Sequence, residues 1–201
     1  MNDPTFAPEL QAEDQARADW YALLARLWYA VPDETLLQNI AGANDAFNSE
    51  GVTLLGAAWQ QLCVAAMAMD PESIRAEYDS AFIGVGKAEV TPYLAHYFPG
   101  STGKEKILLR VRQKLDALGL VRNEDRREPE DHIAALCDVM RHLILRYPLV
   151  TQAAFYKEFL QPGWQGFMEK AENSSQTNFY KRVARFSAAF FALEEQAFAM
   201  L

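Results

Sequence analysis

An all-α fold is what this sequence predicts, and three observations carry it. Apolar residues recur at helical spacing along nearly the whole chain. Helix starts and stops, marked by caps, prolines and glycines, punctuate those periodic stretches. No stretch combines β-branched alternation with a hairpin turn. Together they predict a single bundle of about eight to ten helices over residues 1–201, or two helical lobes joined by a hinge near 121–127.

The first helix spans Glu9 to Ala30, where Trp20, Leu23, Leu24, Leu27 and Trp28 fall on one stripe. Pro32 stops it, and Asp33 is placed to cap a short helix ending at Ile40. After the polar stretch 42–51, an apolar helix runs to Met69. Asp70-Pro71-Glu72 has the order of a helix start: cap, proline at the first helical position, acid in the first turn. The helix that follows carries Ile74, Tyr78 and Phe82 and ends at Gly84 and Gly86.

Residues 84–102 are the least regular part of the chain, and a helix from Lys104 to Leu118 follows, closed by Gly119. Val121 to Arg127 is charged without apolar period and reads as a linker. Glu128 to Tyr147 forms the next helix, with Ile133, Leu136, Cys137, Met140, Leu143 and Ile144 on its core face. Helices over 150–159 and 164–172 precede a turn at Asn173-Ser174-Ser175. The last helix carries Phe179, Val183, Phe186, Phe190, Leu193, Ala197 and Met200 in alternating steps of four and three, a packing seam.

Composition bounds the function. At 201 residues and 50% apolar, the chain buries enough surface to fold without disulfides or a structural metal. Its net charge of −8 argues against a domain held on nucleic acid by phosphate contacts, and leaves basic or apolar partners open. Cys63 and Cys137 lie far apart in apolar helical stretches and read as buried free thiols of a reducing compartment. The N-terminus has no secretory leader pattern, and no apolar run is long enough to span a membrane, so the expectation is a cytoplasmic protein without stable membrane insertion.

Catalytic signatures are scarce. The three histidines are His96, His132 and His142, and only Glu128 and His132 stand close to a helical pairing, four residues apart with no second pair. No zinc-hydrolase, nucleophile-elbow, phosphate-loop or dinucleotide pattern is present. No catalytic residue, metal ligand or cofactor is therefore assigned. A small helical metal- or cofactor-dependent enzyme, or a scaffold binding folded partners, stands as the alternative to peptide recognition.

Two segments hold the candidate site. Residues 77–97 join a helix end to an irregular loop, placing Glu77, Tyr78, Asp79, Phe82 and Gly84 near Pro92, Tyr93 and Tyr97 in sequence. Rigid aromatics on such a loop suit recognition of an extended or helical peptide, and they equally suit covering the core at a chain reversal. The second segment is Glu128-Pro129-Glu130-Asp131-His132. Read as a helix start, it places Glu128, Asp131 and His132 on one side, an acidic corner with a ring titrating near 6.5.

Taken together, the two segments resemble those of the TorD/DmsD family of cytoplasmic chaperones for molybdenum-containing redox enzymes. The resemblance rests on the acidic signature Glu128 to His132 and on the pattern Tyr78, Phe82, Gly84, Pro92, Tyr93, Tyr97; Phe179-Tyr180 before the last helix is a weaker likeness. It implies an all-helical chaperone that binds the twin-arginine signal peptide or N-terminal region of an apo-molybdoenzyme subunit and holds it for cofactor insertion. Phe82, Pro92, Tyr93 and Tyr97 would line an apolar groove, and Glu77, Asp79, Glu128 and Asp131 would meet the arginines. A monomer or a dimer swapped through the 121–127 hinge is the implied oligomeric state. The basic stretch Lys104–Arg127, with eight basic and four acidic residues, reads as a solvated helix face or as a contact with the folded client, the anionic cofactor or a nucleotide, though no phosphate-cradling loop accompanies it.

Overall fold

In a computed structural model, residues 10–43, 53–84, 88–100, 103–121 and 128–201 are described, and they contain nine α-helices. These are α1 (Ala12–Tyr29), α2 (Glu34–Gly42), α3 (Leu54–Ala68), α4 (Pro71–Tyr78), α5 (Lys104–Ala117), α6 (Ile133–Arg146), α7 (Leu149–Phe155), α8 (Trp164–Asn173) and α9 (Phe179–Ala199). Local chemistry sets many of their ends. Asp33 accepts from the Leu36 amide to start α2, Thr53 from Gly56 to start α3, and Asp70 from Ser73 to start α4 with Pro71 just inside.

The expected helix over 150–159 is two pieces: α7 runs into a π-helical turn, Tyr156–Leu160. A second π turn, Asp79–Ile83, extends α4. The one bridge between extended segments among the described residues pairs Tyr93 with His132.

Helix α1 packs along α6, while α9 is flanked by α3 and α8, and α2 closes on α3. One contiguous apolar core joins helices on both sides of residues 121–127. Residues 122–127, and with them the proposed hinge, lie outside the described residues. At the core's centre the Trp28 ring meets Phe82 and Phe167 edge-on and Tyr180 at a tilt, and its indole N–H donates to Ser187. Truncating such a buried ring costs on the order of 3–5 kcal/mol. Cys63 and Cys137 are buried free thiols, and burial pushes Cys63 up to about 11.

The seam expected on α9 holds for only half its length. Phe179, Val183, Phe186 and Phe190 are buried, but Leu193, Ala197 and Met200 face solvent and Phe191, Glu194 and Phe198 are buried in their place. A straight helix drifts about 20° per heptad away from a seam of alternating fours and threes. The face turned inward here carries a half-buried ion pair: Arg17 of α1 grips both oxygens of Glu194 at 2.7 and 2.9 Å, and Tyr21 donates to the same carboxylate. Those bonds hold the glutamate against α1.

Candidate peptide-binding site

The site begins where α1 and α4 end. Tyr78, buried on α4, donates its hydroxyl to the Tyr29 carbonyl at 2.8 Å and so pins the last turn of α1 against α4. The π turn then widens the helix by one residue, turning Phe82 into the core and leaving Asp79 and Ile83 outside. Gly84 closes it with φ 63°, a conformation that side chains with a Cβ resist, and its amide bonds back to the Asp79 carbonyl.

The two sequence segments meet through their backbones. The Leu94 amide donates to the Asp131 carbonyl at 3.0 Å and the Ile133 amide to the Pro92 carbonyl at 2.9 Å. These bonds draw 128–132 out of helical conformation, so α6 starts at Ile133 rather than Glu128. His132 is the N-cap: its Nδ1 accepts from the Ala134 amide at 3.1 Å, which makes the neutral ring an Nε2–H tautomer. The expectation of Glu128, Asp131 and His132 on one helical face is corrected accordingly.

Between the segments lies a groove of about 600 Å³. Tyr29, Tyr78, Phe82, Pro92 and Tyr93 supply aromatic and apolar walls, Asp79 and Glu128 the carboxylates, and Arg75 one cation. His132 reaches the groove's inner wall, its ring edge-on to Tyr93 at 5.4 Å and to Tyr29 at 6.3 Å between centroids. The Tyr93 hydroxyl donates to Glu128 in a very short bond, and burial, then that bond, push its pKa upward.

Several expected contact residues hold the groove up instead of lining it. Glu77 is buried; its two carboxylate oxygens accept the Phe179 and Tyr180 amides at 2.9 and 2.7 Å and so cap α9. Asp131 is buried beneath the loop, its pKa raised by desolvation and lowered in smaller part by bonds from its own and the Ala95 backbone. Tyr97 turns toward α8, donates to the Thr91 carbonyl and packs on Phe167, its hydroxyl pushed up to about 12 by burial. Pro129 contributes its carbonyl, which accepts the His132 amide. The His132 ring, expected to titrate near 6.5, is buried and depressed to about 4 by desolvation, with Glu128 opposing weakly.

Tight packing under the loop fixes its height. A Cβ on Gly163 would sit 2.8 Å from the Leu94 carbonyl oxygen, and one on Gly166 would sit 3.2 Å from Tyr97. Both glycines therefore let residues 94–98 lie directly on the start of α8. Three groove residues had no motif to reveal them. Tyr29 closes α1 by its fold position, while Arg75 and Ile83 project from a helix whose turn the sequence does not disclose.

On the basic stretch, Arg110 pairs with Glu158 and stacks over Phe159, and Arg112 pairs with Glu130. Only Val111 of α5 is fully buried, so this helix does present a solvated face. Arg122, Arg126 and Arg127 lie outside the described residues.

Fold and groove define a class: an all-helical protein presenting one acidic and aromatic cleft at the junction of two helix ends. The chain belongs to the nitrate reductase delta subunit family, whose model matches residues 49–169, a range containing both groove segments. It is similar to the chaperone protein TorD of Aggregatibacter aphrophilus, 28% identical over 58% of this chain and 56% of the relative. It is also similar to the chaperone protein TorD of Actinobacillus succinogenes, 26% identical over 53% of this chain and 55% of that one. The chain thus spans about half the length of the curated relatives it matches. Its fold matches the crystal structure of a candidate redox enzyme maturation protein from Archaeoglobus fulgidus, with TM-score 0.57 and 19% identity over 96% of this chain and 99% of that one.

Proposed function

We propose that this protein is a chaperone for molybdoenzyme maturation, and that its groove binds the twin-arginine signal peptide or N-terminal region of an apo-enzyme subunit. The observation that carries the reading is the pairing of three tyrosines and Phe82 with the carboxylates of Asp79 and Glu128 in one peptide-sized cleft. A guanidinium over a tyrosine face gains a cation–π contact, and a carboxylate beside it adds directional, charge-assisted hydrogen bonds. The apolar part of a leader would lie on Phe82, Pro92 and Ile83. Family membership and the names of the TorD relatives support a maturation role rather than an enzymatic one.

Holding the leader in this cleft would keep it from the export machinery until the cofactor is in place. The chain's own part is to orient and shield: acids fix the arginine pair, aromatics cover the apolar segment, and Arg75 at the rim repels a leader entering in the wrong sense. Calorimetric titration with a synthetic leader bearing the arginine pair tests this. Binding that falls at least tenfold when both arginines become glutamine supports it. Equal affinity for the two peptides, or no binding of the leader, overturns it.

A further inference from the structure

Helix α3 has no charged residue in its fifteen positions, and such a helix is ordinarily buried all round. Here only one side is buried, through Trp59, Leu62, Cys63 and Ala66. The opposite side leaves Leu54 88%, Met67 72% and Val64 54% exposed. The exposed Leu54, Gln61, Val64 and Ala68, with half-buried Ala57 between the first two, advance in steps of three and four, the spacing of a helix–helix seam. The alanines keep the backbone accessible to close approach.

Beside this seam, between α3 and α9, runs a groove of about 640 Å³ whose lining contains two arginines, Arg182 and Arg185, and no carboxylate. In a chain of net charge −8 this is a distinctly basic place. Among the described residues Arg182 bonds only the backbone and side chain of Asn178. Arg185 is ion-paired through Nε with Glu172 at 2.8 Å and turns Nη1 toward Gln61 of the seam, so Arg182 carries the uncompensated charge of the groove.

We propose that the α3–α9 groove is a second docking surface, taking an amphipathic helix of a partner protein whose apolar stripe is flanked by acidic residues. The three-and-four spacing selects a helix, and the two arginines select its charge. At 1.5 Å per residue, α3 offers roughly 22 Å of seam, about four turns of partner. A second copy of this chain is the poorer occupant, because an isologous contact would bring two arginine pairs together along one seam. The surface is built from different helices from the leader cleft and is independent of it.

The test uses two fluorescent synthetic helical peptides of eighteen residues that share one leucine seam, one flanked by glutamates and the other by lysines. Anisotropy titration of the full chain is expected to give at least tenfold tighter binding of the acidic peptide. The double variant R182E/R185E is expected to abolish or reverse that preference, and Val64→Asp to weaken the acidic peptide at least tenfold. Val64 and Arg185 are exposed and Arg182 is half-buried. A cooperative melting transition in both variants shows that the fold is retained. R182Q/R185Q, which adds no charge beside Glu172, is expected to lose the preference as well, with leader titration unchanged in all three. No binding of the acidic peptide, equal binding of the two peptides, or indifference to Val64→Asp overturns the proposal. So does sedimentation showing a wild-type dimer that Val64→Asp disperses, since that outcome makes a second copy the occupant.

Discussion

In each of the two segments that build the cleft, two of the acids do opposite work. In the first, Glu77 is buried on the α9 amides while Asp79, two residues on, is exposed at the groove. In the second, Asp131 is buried under the loop while Glu128 lies in the groove against Tyr93. The difference is one of backbone direction: helix pitch turns Glu77 and Asp79 to different sides, and the antiparallel bridge at His132 sends Asp131 inward. The inner acids should therefore register in stability and the outer ones in binding.

Glu77→Ala gives the largest expected break. It removes two hydrogen bonds to a buried carboxylate and the anion at the positive end of α9, each bond worth about 1.5–3 kcal/mol. Urea denaturation is expected to show a loss of about 3 kcal/mol, with leader affinity of the remaining folded protein within twofold of wild type. A variant of full stability that had lost leader binding would reverse the assignment of Glu77.

His132 sharpens the comparison through pH. Its folded pKa is about 4 and its unfolded value about 6.5, so on acidification the unfolded chain takes the proton first. The stability it supports is fully present above pH 6.5 and is lost as pH falls from 6.5 toward 4, by about 3 kcal/mol at 1.36 kcal/mol per unit. Protonating Nδ1 also removes the acceptor that caps α6. Asp131, raised by burial, works in the opposite direction, because the folded state protonates it earlier. Asparagine can cap but does not titrate there, so His132→Asn is expected to flatten the melting temperature between pH 6.5 and 4 while leaving the Asp131 contribution in place. An unchanged pH slope would mean that the folded protein does not hold the His132 ring below its unfolded pKa.

Much of this arrangement was legible in the sequence, and the part that was not has a physical cause. Helix periods, the caps Asp33 and Asp70, the core face of α6 and the two groove segments follow from local chemistry. The side each acid faces does not, because it depends on contacts between distant parts of the chain. A proline and acids ahead of an apolar run look like a first helical turn at 128–132. The backbone bonds from Pro92 and Leu94 that prevent it come from roughly 40 residues away. Likewise Glu194 rather than Leu193 is buried on α9, and the partner that satisfies its charge is Arg17 on α1. Tyr29 enters the cleft for the same reason: its position is made by Tyr78, not by any motif around it.

The outer acids give smaller, binding-only effects. Glu128→Gln keeps the shape of the groove and removes the charge, and leader affinity is expected to fall about tenfold, or about 1.4 kcal/mol. Asp79→Asn, at a more exposed site, is expected to cost about threefold. Raising salt should weaken the wild type more than Glu128→Gln, since the variant has less charge attraction to screen. Calorimetry at two salt concentrations checks both effects, and loss of stability in either variant without loss of affinity would place these acids with Glu77.

The finest distinction lies within one hydrogen bond. In the free protein Glu128 accepts from the Tyr93 hydroxyl at Oε2, so in the proposed complex a guanidinium bonding both carboxylate oxygens would compete for that one. Tyr93→Phe retains the ring that faces His132 and the cleft but removes that competitor. If the hydroxyl serves to hold Glu128 in reserve, the variant binds an arginine-bearing leader about two- to threefold more tightly, a net hydrogen bond of about 0.5 kcal/mol being returned to the ligand. The gain should vanish in Tyr93→Phe/Glu128→Gln, because the double variant has no carboxylate to release. A two- to threefold loss in the single variant would instead make the hydroxyl a contact for the leader itself, and would move Tyr93 from gatekeeper to ligand within the same cleft.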